Sequence, residues 1–155
     1  MEVLTNNPNQ TKKLGEVLGK EISKTQLKNQ ALVLGLKGDL GGGKTTFLQG
    51  LALGLKIKEK ILSPTFVILK KFEIKNIHYP RTEKFKYFYH LDCYRIQKLK
   101  EILNLDFKKI VSNPKNIVAV EWADKIRKIM PKNTIWIEFE FVDIKKRKII
   151  MKSYG

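Results

Sequence analysis

The sequence predicts an α/β fold, a three-layer sandwich in which helices cover both faces of a mixed, mainly parallel sheet. Three observations predict it. Short apolar runs of strand length alternate with stretches of helical periodicity, a glycine-rich turn joins the first buried run to a helix, and the chain ends in a segment pair suited to an antiparallel hairpin. The length of 155 residues fits one compact unit, so we expect a single domain over residues 1–155.

The first part of the chain supplies two predicted helices around one buried strand. Between Asn9 and Leu27, apolar residues recur at spacings of three and four, which is typical of an amphipathic helix. Ala31–Leu36 is a continuous apolar run, as expected of a strand that is buried on both faces. A second helical stretch, Thr45–Leu55, follows the glycine-rich turn.

The remaining sequence predicts five more strands and two short helices. The helices are Gln97–Leu105 and Ala123–Met130, and an exposed loop is expected over Lys75–Glu83. The strands, rich in apolar, aromatic and β-branched residues, are Thr65–Ile74, Lys86–Cys93, Asn116–Trp122, Thr134–Val142 and Arg147–Lys152. The last two form a hairpin that turns at Asp143–Lys146.

Composition limits the class of protein. The formal charge of +16 comes almost entirely from lysines spread along the chain, with only four arginines. Two interpretations stay open: a solvated lysine-rich surface, or nonspecific attraction to RNA or an acidic partner. The apolar runs are too short to cross a membrane, and the single cysteine, Cys93, indicates a reducing compartment. We therefore expect a cytoplasmic protein.

The glycine-rich turn carries the clearest chemical signal. Gly38–Thr45 reads GDLGGGKT and fits G-x-x-x-x-G-K-[ST], the phosphate-binding P-loop, with a buried strand before it and a helix after it. Backbone N–H groups in such a loop cradle phosphates, Lys44 reaches the β and γ phosphates, and Thr45 places its hydroxyl on Mg²⁺. The fold is accordingly expected to be P-loop NTPase-like, with a nucleoside triphosphate and Mg²⁺ as ligands.

Two acidic residues follow apolar strands, where ligands of open α/β sheets bind. Asp92 ends the strand before Cys93, and Glu121 ends the strand before Trp122. Together they are candidates to complete the metal site and to activate water; each alone could instead cap a helix. His90 lies on the same strand face as Asp92, as a structural neighbour or as a participant.

The sequence alone is less specific about the roles of three further residues. Cys93 points away from Asp92 and reads as a small buried hydrophobe. Trp122 is either a packed aromatic or a plane near the nucleotide. Thr65, in Ser63–Phe66, is either a turn residue or part of a loop that senses the γ phosphate.

Four segments in this order, GDLGGGKTTF at 38–47, SPTF at 63–66, HLDCYR at 90–95 and EWAD at 121–124, resemble the TsaE family, also called YjeE. The resemblance covers about Thr11 to Arg147. Gly42 stands where the family often has alanine, and the lysine content is higher than the resemblance leads one to expect, notably between Lys71 and Lys86.

The resemblance implies specific roles. Asp92 would orient or activate water, Glu121 would hold Mg²⁺ with Thr45, and Thr65 would belong to a switch-like loop. Thr11 and the basic hairpin around Lys145–Arg147 would flank the adenine, with Trp122 nearby. The phosphates would be cradled by Gly41, Gly42, Gly43, Lys44, Thr45 and Thr46.

The resemblance also implies a function: a weak Mg²⁺-dependent ATPase that partners activate. It would be required to form threonylcarbamoyladenosine at position 37 of tRNAs that read codons beginning with A. Its partners would be a TsaD-type threonylcarbamoyl transferase and a TsaB-type companion, which ATP hydrolysis resets. Two alternatives are a small-molecule P-loop kinase, for which the chain shows no arginine-bearing lid, and a nucleotide-switched RNA-binding module.

Overall fold

The computed structural model describes residues 1–25, 29–62, 68–75 and 85–153, and seven strands lie in these ranges. The strands are β1 (Glu2–Thr5), β2 (Leu32–Gly38), β3 (Leu69–Glu73), β4 (Tyr87–Asp92), β5 (Asn116–Glu121), β6 (Ile135–Phe141) and β7 (Arg147–Ser153). The helices are α1 (Pro8–Ile22), α2 (Lys44–Gly54), α3 (Leu99–Leu103), α4 (Phe107–Ser112) and a 3₁₀ helix, Ala123–Ile129.

The strands form one mixed sheet in the order β1-β7-β6-β2-β5-β4-β3. Its four inner strands, β6, β2, β5 and β4, are parallel to one another. At the edges β3 pairs antiparallel with β4, β7 pairs antiparallel with β6 as the predicted hairpin, and β1 adds to β7. The predicted α/β architecture is confirmed, and the carboxyl ends of the parallel strands share one edge of the sheet.

Helices cover both faces of the sheet, which gives the predicted three layers. Alternate residues of β2 divide between the layers: Leu34 and Leu36 pack with α1 and α2, and Val33 packs with the cluster under α3 and α4. Phe47 of α2 and Phe107 of α4 are fully buried in their respective layers. Among the described residues, no helix is long and apolar enough to span a bilayer.

The two larger helices approach each other closely through glycines. A side chain at Gly50 would place its Cβ 1.8 Å from the Lys12 carbonyl oxygen, and one at Gly15 would lie 2.1 Å from the Phe47 oxygen. The backbones of α1 and α2 are therefore in direct contact. Because the glycine-rich turn leads straight into α2, this contact also fixes the turn relative to the rest of the domain.

Several predicted boundaries were wrong. Helix α1 ends at Ile22 instead of Leu27, because the hydroxyls of Ser23 and Thr25 hydrogen bond to the last helical carbonyls; residues 26–28 lie outside the described ranges. Strand β1 and helix α4 were not predicted, since both are short and depend on tertiary pairing or burial. The predicted helix Ala123–Met130 is a 3₁₀ helix over Ala123–Ile129, with a kink at Ile126.

Two predicted segments are only partly described. Of the predicted strand Thr65–Ile74, the structure shows Leu69–Glu73 as β3, and residues 63–67 lie outside the described residues. The predicted loop Lys75–Glu83 also lies almost wholly outside them.

Candidate functional site

The glycine-rich turn joins the end of β2 at Gly38 to the start of α2 at Lys44. Gly38, Gly41 and Gly43 have φ values of +131°, +73° and +97°, which L side chains rarely adopt. A Cβ at Gly41 would meet no atom within 4 Å, so this part of the backbone is open to a ligand. The sequence therefore needs glycine here both for conformation and for close approach.

The start of α2 points into the same open space. N–H groups in the first turn of a helix have no intrahelical acceptor, and the helix end carries a partial positive charge. In α2 these groups belong to Lys44, Thr45 and Thr46. The arrangement is a ready site for an anion such as phosphate.

Lys44 lies folded against the loop. Its Nζ donates hydrogen bonds to the Gly38 oxygen at 2.6 Å and to the Asp39 oxygen at 2.7 Å. The same Nζ lies 4.1 Å from the centroid of the Trp122 ring. Burial lowers the pKa of Lys44, while the negative charge of Glu121 opposes this shift. A phosphate bound in the loop would offer this ammonium a charged partner in place of two carbonyls.

The two acidic candidates come together at the carboxyl edge of the sheet. Parallel pairing of β4 with β5 places Asp92 opposite Glu121. The buried Glu121 carboxylate accepts hydrogen bonds from Thr45 Oγ1 at 3.0 and 3.1 Å and from His90 Nε2 at 2.9 Å. Asp92 Oδ1 accepts the backbone N–H of Tyr94 at 2.9 Å, which fixes the turn after β4. Glu121 thus bonds across the site and does not cap the 3₁₀ helix.

Trp122 and Cys93 pack in the same layer, under α3 and α4, but of the two only Trp122 lines the cleft. Trp122 adopts a left-handed backbone conformation, φ +56°, and its ring lies 5.1 Å from that of Tyr94. It is therefore both a packed aromatic and part of the cleft wall. Cys93 is fully buried in this layer, where burial raises its pKa to about 12, as the prediction of a structural cysteine requires.

The glycine-rich turn, Asp92, Glu121 and Trp122 line one cleft of about 490 Å³. Among the residues that line it, Tyr94 and Arg95 belong to a motif segment but carried no predicted role, and Ile68 and Glu101 carried no sequence signal. The full lining is Leu40, Gly41, Gly42, Gly43, Lys44, Thr45, Thr46, Ile68, Asp92, Tyr94, Arg95, Glu101, Glu121 and Trp122.

Thr11 and Arg147 lie behind the loop and are not among the residues that line this cleft. Thr11 Oγ1 is buried and 2.8 Å from Thr5 Oγ1. The Arg147 guanidinium donates to the Gly41 carbonyl from Nε at 3.2 Å and from Nη2 at 3.0 Å. Arg147 thus supports the loop from outside the cleft, and the methyl group of Thr11 lies beside Gly43. Thr65 lies outside the described residues.

Comparison with known proteins agrees with this geometry. The family model described as "Threonylcarbamoyl adenosine biosynthesis protein TsaE" matches residues 5–149. The chain belongs to the TsaE family. Proteins named tRNA threonylcarbamoyladenosine biosynthesis protein TsaE are similar to it. That of Treponema pallidum is 29% identical over 149 residues, covering 96% of this chain and 98% of the relative. That of Aquifex aeolicus is 32% identical, covering 96% and 92%.

The solved structures support the same fold. The crystal structure of Bacillus subtilis YdiB superposes with a TM-score of 0.71 and 27% identity, covering 100% of this chain and 86% of that one. The protein named tRNA threonylcarbamoyladenosine biosynthesis protein TsaE from Bacillus subtilis is 34% identical over 123 residues, which is 79% of this chain and 70% of the relative. This TsaE-family chain therefore has a P-loop NTPase-like fold.

Proposed function

We propose that this TsaE-family chain binds and hydrolyses ATP in the formation of threonylcarbamoyladenosine at position 37 of tRNAs that read codons beginning with A. One observation carries the proposal: a phosphate loop, a lysine, a threonine–glutamate pair and a second carboxylate converge on a single cleft. The pathway, threonylcarbamoyladenosine formation, is inferred from membership of the TsaE family.

The loop fits the phosphate chain of ATP. Gly41 leaves room for close approach, Gly42 and Gly43 line the same cleft, and the N–H groups of the first turn of α2 supply donors. Lys44 would exchange its two carbonyl acceptors for β and γ phosphate oxygens, which are charged and therefore stronger partners.

The residues around Glu121 fit Mg²⁺. Thr45 Oγ1 and the Glu121 carboxylate are hard oxygen donors that already lie within 3.1 Å of each other. When bound, Mg²⁺ would offset the negative charge on the phosphates during transfer. Asp92, opposite Glu121, would orient the attacking water and accept its proton, as the bond between the γ phosphorus and the bridging oxygen breaks to release ADP.

The residues near the ends of the nucleotide have less direct roles in this proposal. Trp122 forms a wall of the cleft. Thr11 lies beside Gly43 and Arg147 donates to the Gly41 carbonyl, so both would act on the nucleotide through the loop and would flank the adenine. Thr65, in the segment before β3, is proposed to respond to the γ phosphate.

The proposed partners are a TsaD-type threonylcarbamoyl transferase and a TsaB-type companion. ATP hydrolysis would reset their complex between turnovers, so the isolated chain would hydrolyse ATP slowly. This distinguishes it from a kinase, whose ATP consumption follows a small acceptor, and from an RNA switch, whose consumption follows RNA.

Substitutions in the cleft test the proposal. Lys44→Ala should lose nucleotide affinity, because it removes the ammonium that lies against the loop and would meet the β and γ phosphates. Asp92→Ala and Glu121→Ala should retain measurable binding but lose hydrolysis. Equilibrium titration with a fluorescent ATP analogue and release of inorganic phosphate measure the two properties separately. Normal turnover in both acid variants would show that the site is assigned to the wrong residues.

A further inference from the structure

The histidine beside the proposed metal site makes a buried hydrogen bond that packing alone does not require. His90 lies on β4, and its ring faces the buried end of β5. His90 Nε2 is 2.9 Å from Glu121 Oε1, and the two side chains are 1% and 3% exposed. Because a carboxylate only accepts hydrogen bonds, Nε2 must carry the hydrogen.

Glu121 is thereby held from two directions. Thr45 donates from the start of α2, and His90 donates from the neighbouring strand to Oε1. A buried carboxylate needs such donors, since burial without them is costly. The Thr45 bond alone would leave the carboxylate free to rotate about its last torsion. The His90 bond removes that freedom.

The ring is poorly explained as a space filler. His90 Nδ1 is buried and has no hydrogen-bond partner among the residues that the structure describes. A buried polar atom without a partner destabilises the fold. A side chain selected only for packing on this strand, as Phe88 is, would avoid that cost. The feature of His90 that the site uses is the Nε2–H bond.

We propose that His90 is a positioning residue that fixes the orientation of the Glu121 carboxylate toward Thr45 and toward a divalent cation held with it. The inference rests on the proposed function, since it assigns Glu121 to the Mg²⁺ site. His90 does not contact the nucleotide in this arrangement; it acts through Glu121. Partners that orient a metal ligand in this way change metal affinity by about 10- to 100-fold.

Two amide substitutions separate positioning from packing. In His90→Gln the side-chain amide reaches the position of Nε2 and keeps a donor for Glu121. In His90→Asn the amide reaches only the position of Nδ1, so the donor is lost although the residue stays polar. Binding of a fluorescent ATP analogue is measured with EDTA and across a Mg²⁺ titration, and thermal unfolding is followed for each variant.

Loss of the donor should affect only the metal-dependent readout. For His90→Asn we expect metal-free nucleotide affinity within about twofold of wild type and a half-saturating Mg²⁺ concentration raised about 10-fold or more. In His90→Gln the half-saturating Mg²⁺ concentration should lie within about threefold of the wild-type value. Thr134→Val, which removes a buried hydrogen bond to the Pro131 carbonyl at the opposite end of the sheet, should leave the Mg²⁺ titration unchanged.

If His90→Asn is unstable, the same substitutions made in the Glu121→Gln variant provide a second test. In the Glu121→Gln background, adding His90→Gln or His90→Asn should cause no further change in the Mg²⁺ titration, because His90 acts through this carboxylate. Equal Mg²⁺ titrations for wild type and both single variants, or equal losses in both, would overturn the positioning role. A wild-type chain whose nucleotide binding ignores Mg²⁺ would instead overturn the proposed function, and the inference with it.

Discussion

Arg147 shows how a side chain outside the cleft can set the shape of the nucleotide loop. Its guanidinium donates to the Gly41 carbonyl and, through Nη1, to the Asp143 and Lys146 carbonyls. It also lies 4.6 Å from the centroid of the Phe141 ring. One planar group thus joins the apex of the loop to the β6–β7 hairpin, a geometry that suits arginine and not lysine.

Replacing the planar guanidinium of Arg147 with an ammonium group should weaken nucleotide binding although the positive charge is kept. Arg147→Lys keeps the positive charge but cannot donate to Gly41 and the two hairpin carbonyls together, so the loop should sample other shapes. We expect ATP affinity to fall by roughly 3- to 10-fold, about one hydrogen bond's worth of free energy. The check is equilibrium titration, with Lys148→Arg on the same strand as control. Unchanged affinity in Arg147→Lys would show that Gly41 holds its conformation unaided.

Cys93 should be almost unreactive in the folded chain. Its side chain is buried, and burial, reinforced by the charge of Asp92, raises its pKa to about 12. A raised pKa disfavours the thiolate, so at pH 8 the reactive form is scarce, and it becomes populated only as the pH approaches 12. Alkylation at pH 8 should be at least ~100-fold slower in native than in urea-unfolded chain. Comparable rates would place the thiol at the surface.

Helices α1 and α2 act as one unit because glycine removes side chains from their interface. Positions 15 and 19 of α1 face 50 and 54 of α2, and a Cβ at any of them would lie 2.4 Å or less from a backbone oxygen. Since the glycine-rich turn leads into the start of α2, this packing sets how rigidly Lys44 and Thr45 are held. We therefore expect stability and nucleotide binding to be coupled through this helix pair.

Gly50→Ala should be strongly destabilising. The new methyl group would lie 1.8 Å from the Lys12 carbonyl oxygen, so the two helices must separate. We expect a loss of about 2–4 kcal/mol in the free energy of unfolding, at or above the usual range for overpacking. Urea denaturation measures it. Val17→Ala, at an exposed position of α1, serves as control and should cost less than about 1 kcal/mol. Similar losses in both variants would argue against close contact.

Some of this arrangement was predictable from the sequence and some was not. The apolar run of β2, the glycines and the acids that end β4 and β5 carry local patterns, so the sheet, the loop and the pairing of Asp92 with Glu121 could be expected. The Arg147 bond to Gly41 could not, because it spans 106 positions of the chain. Strand β1 is likewise stabilised by β7 at the far end of the sequence, not by its own four residues.

The whole molecule carries a formal charge of +16, and its lysines lie on many elements without a single cluster of arginines. Lysine is a strongly hydrated point charge that attracts phosphate without reading bases. The described aromatic contacts of lysines, such as Lys71 with Tyr87, lie within the domain. Any attraction that this charge exerts on acidic surfaces is therefore long-range and independent of base sequence.

Binding to RNA should therefore be nonspecific and strongly salt-dependent. We expect affinity for a tRNA to match that for an unrelated RNA of equal length, and to fall by at least ~10-fold between 50 and 200 mM salt, since counterion release dominates. Fluorescence anisotropy at several salt concentrations measures both quantities. A clear preference for tRNA that survives 200 mM salt would instead favour the RNA-switch function.

The most direct test is the rate of ATP hydrolysis by this chain alone and with the matching TsaB-type and TsaD-type proteins. We predict slow hydrolysis alone, stimulation of about 10-fold or more by the two proteins together, and loss of the stimulated rate in Glu121→Ala. Tight ATP binding with no stimulation by these proteins would contradict the proposed function, and would direct attention to a small acceptor or to RNA as the partner that consumes ATP.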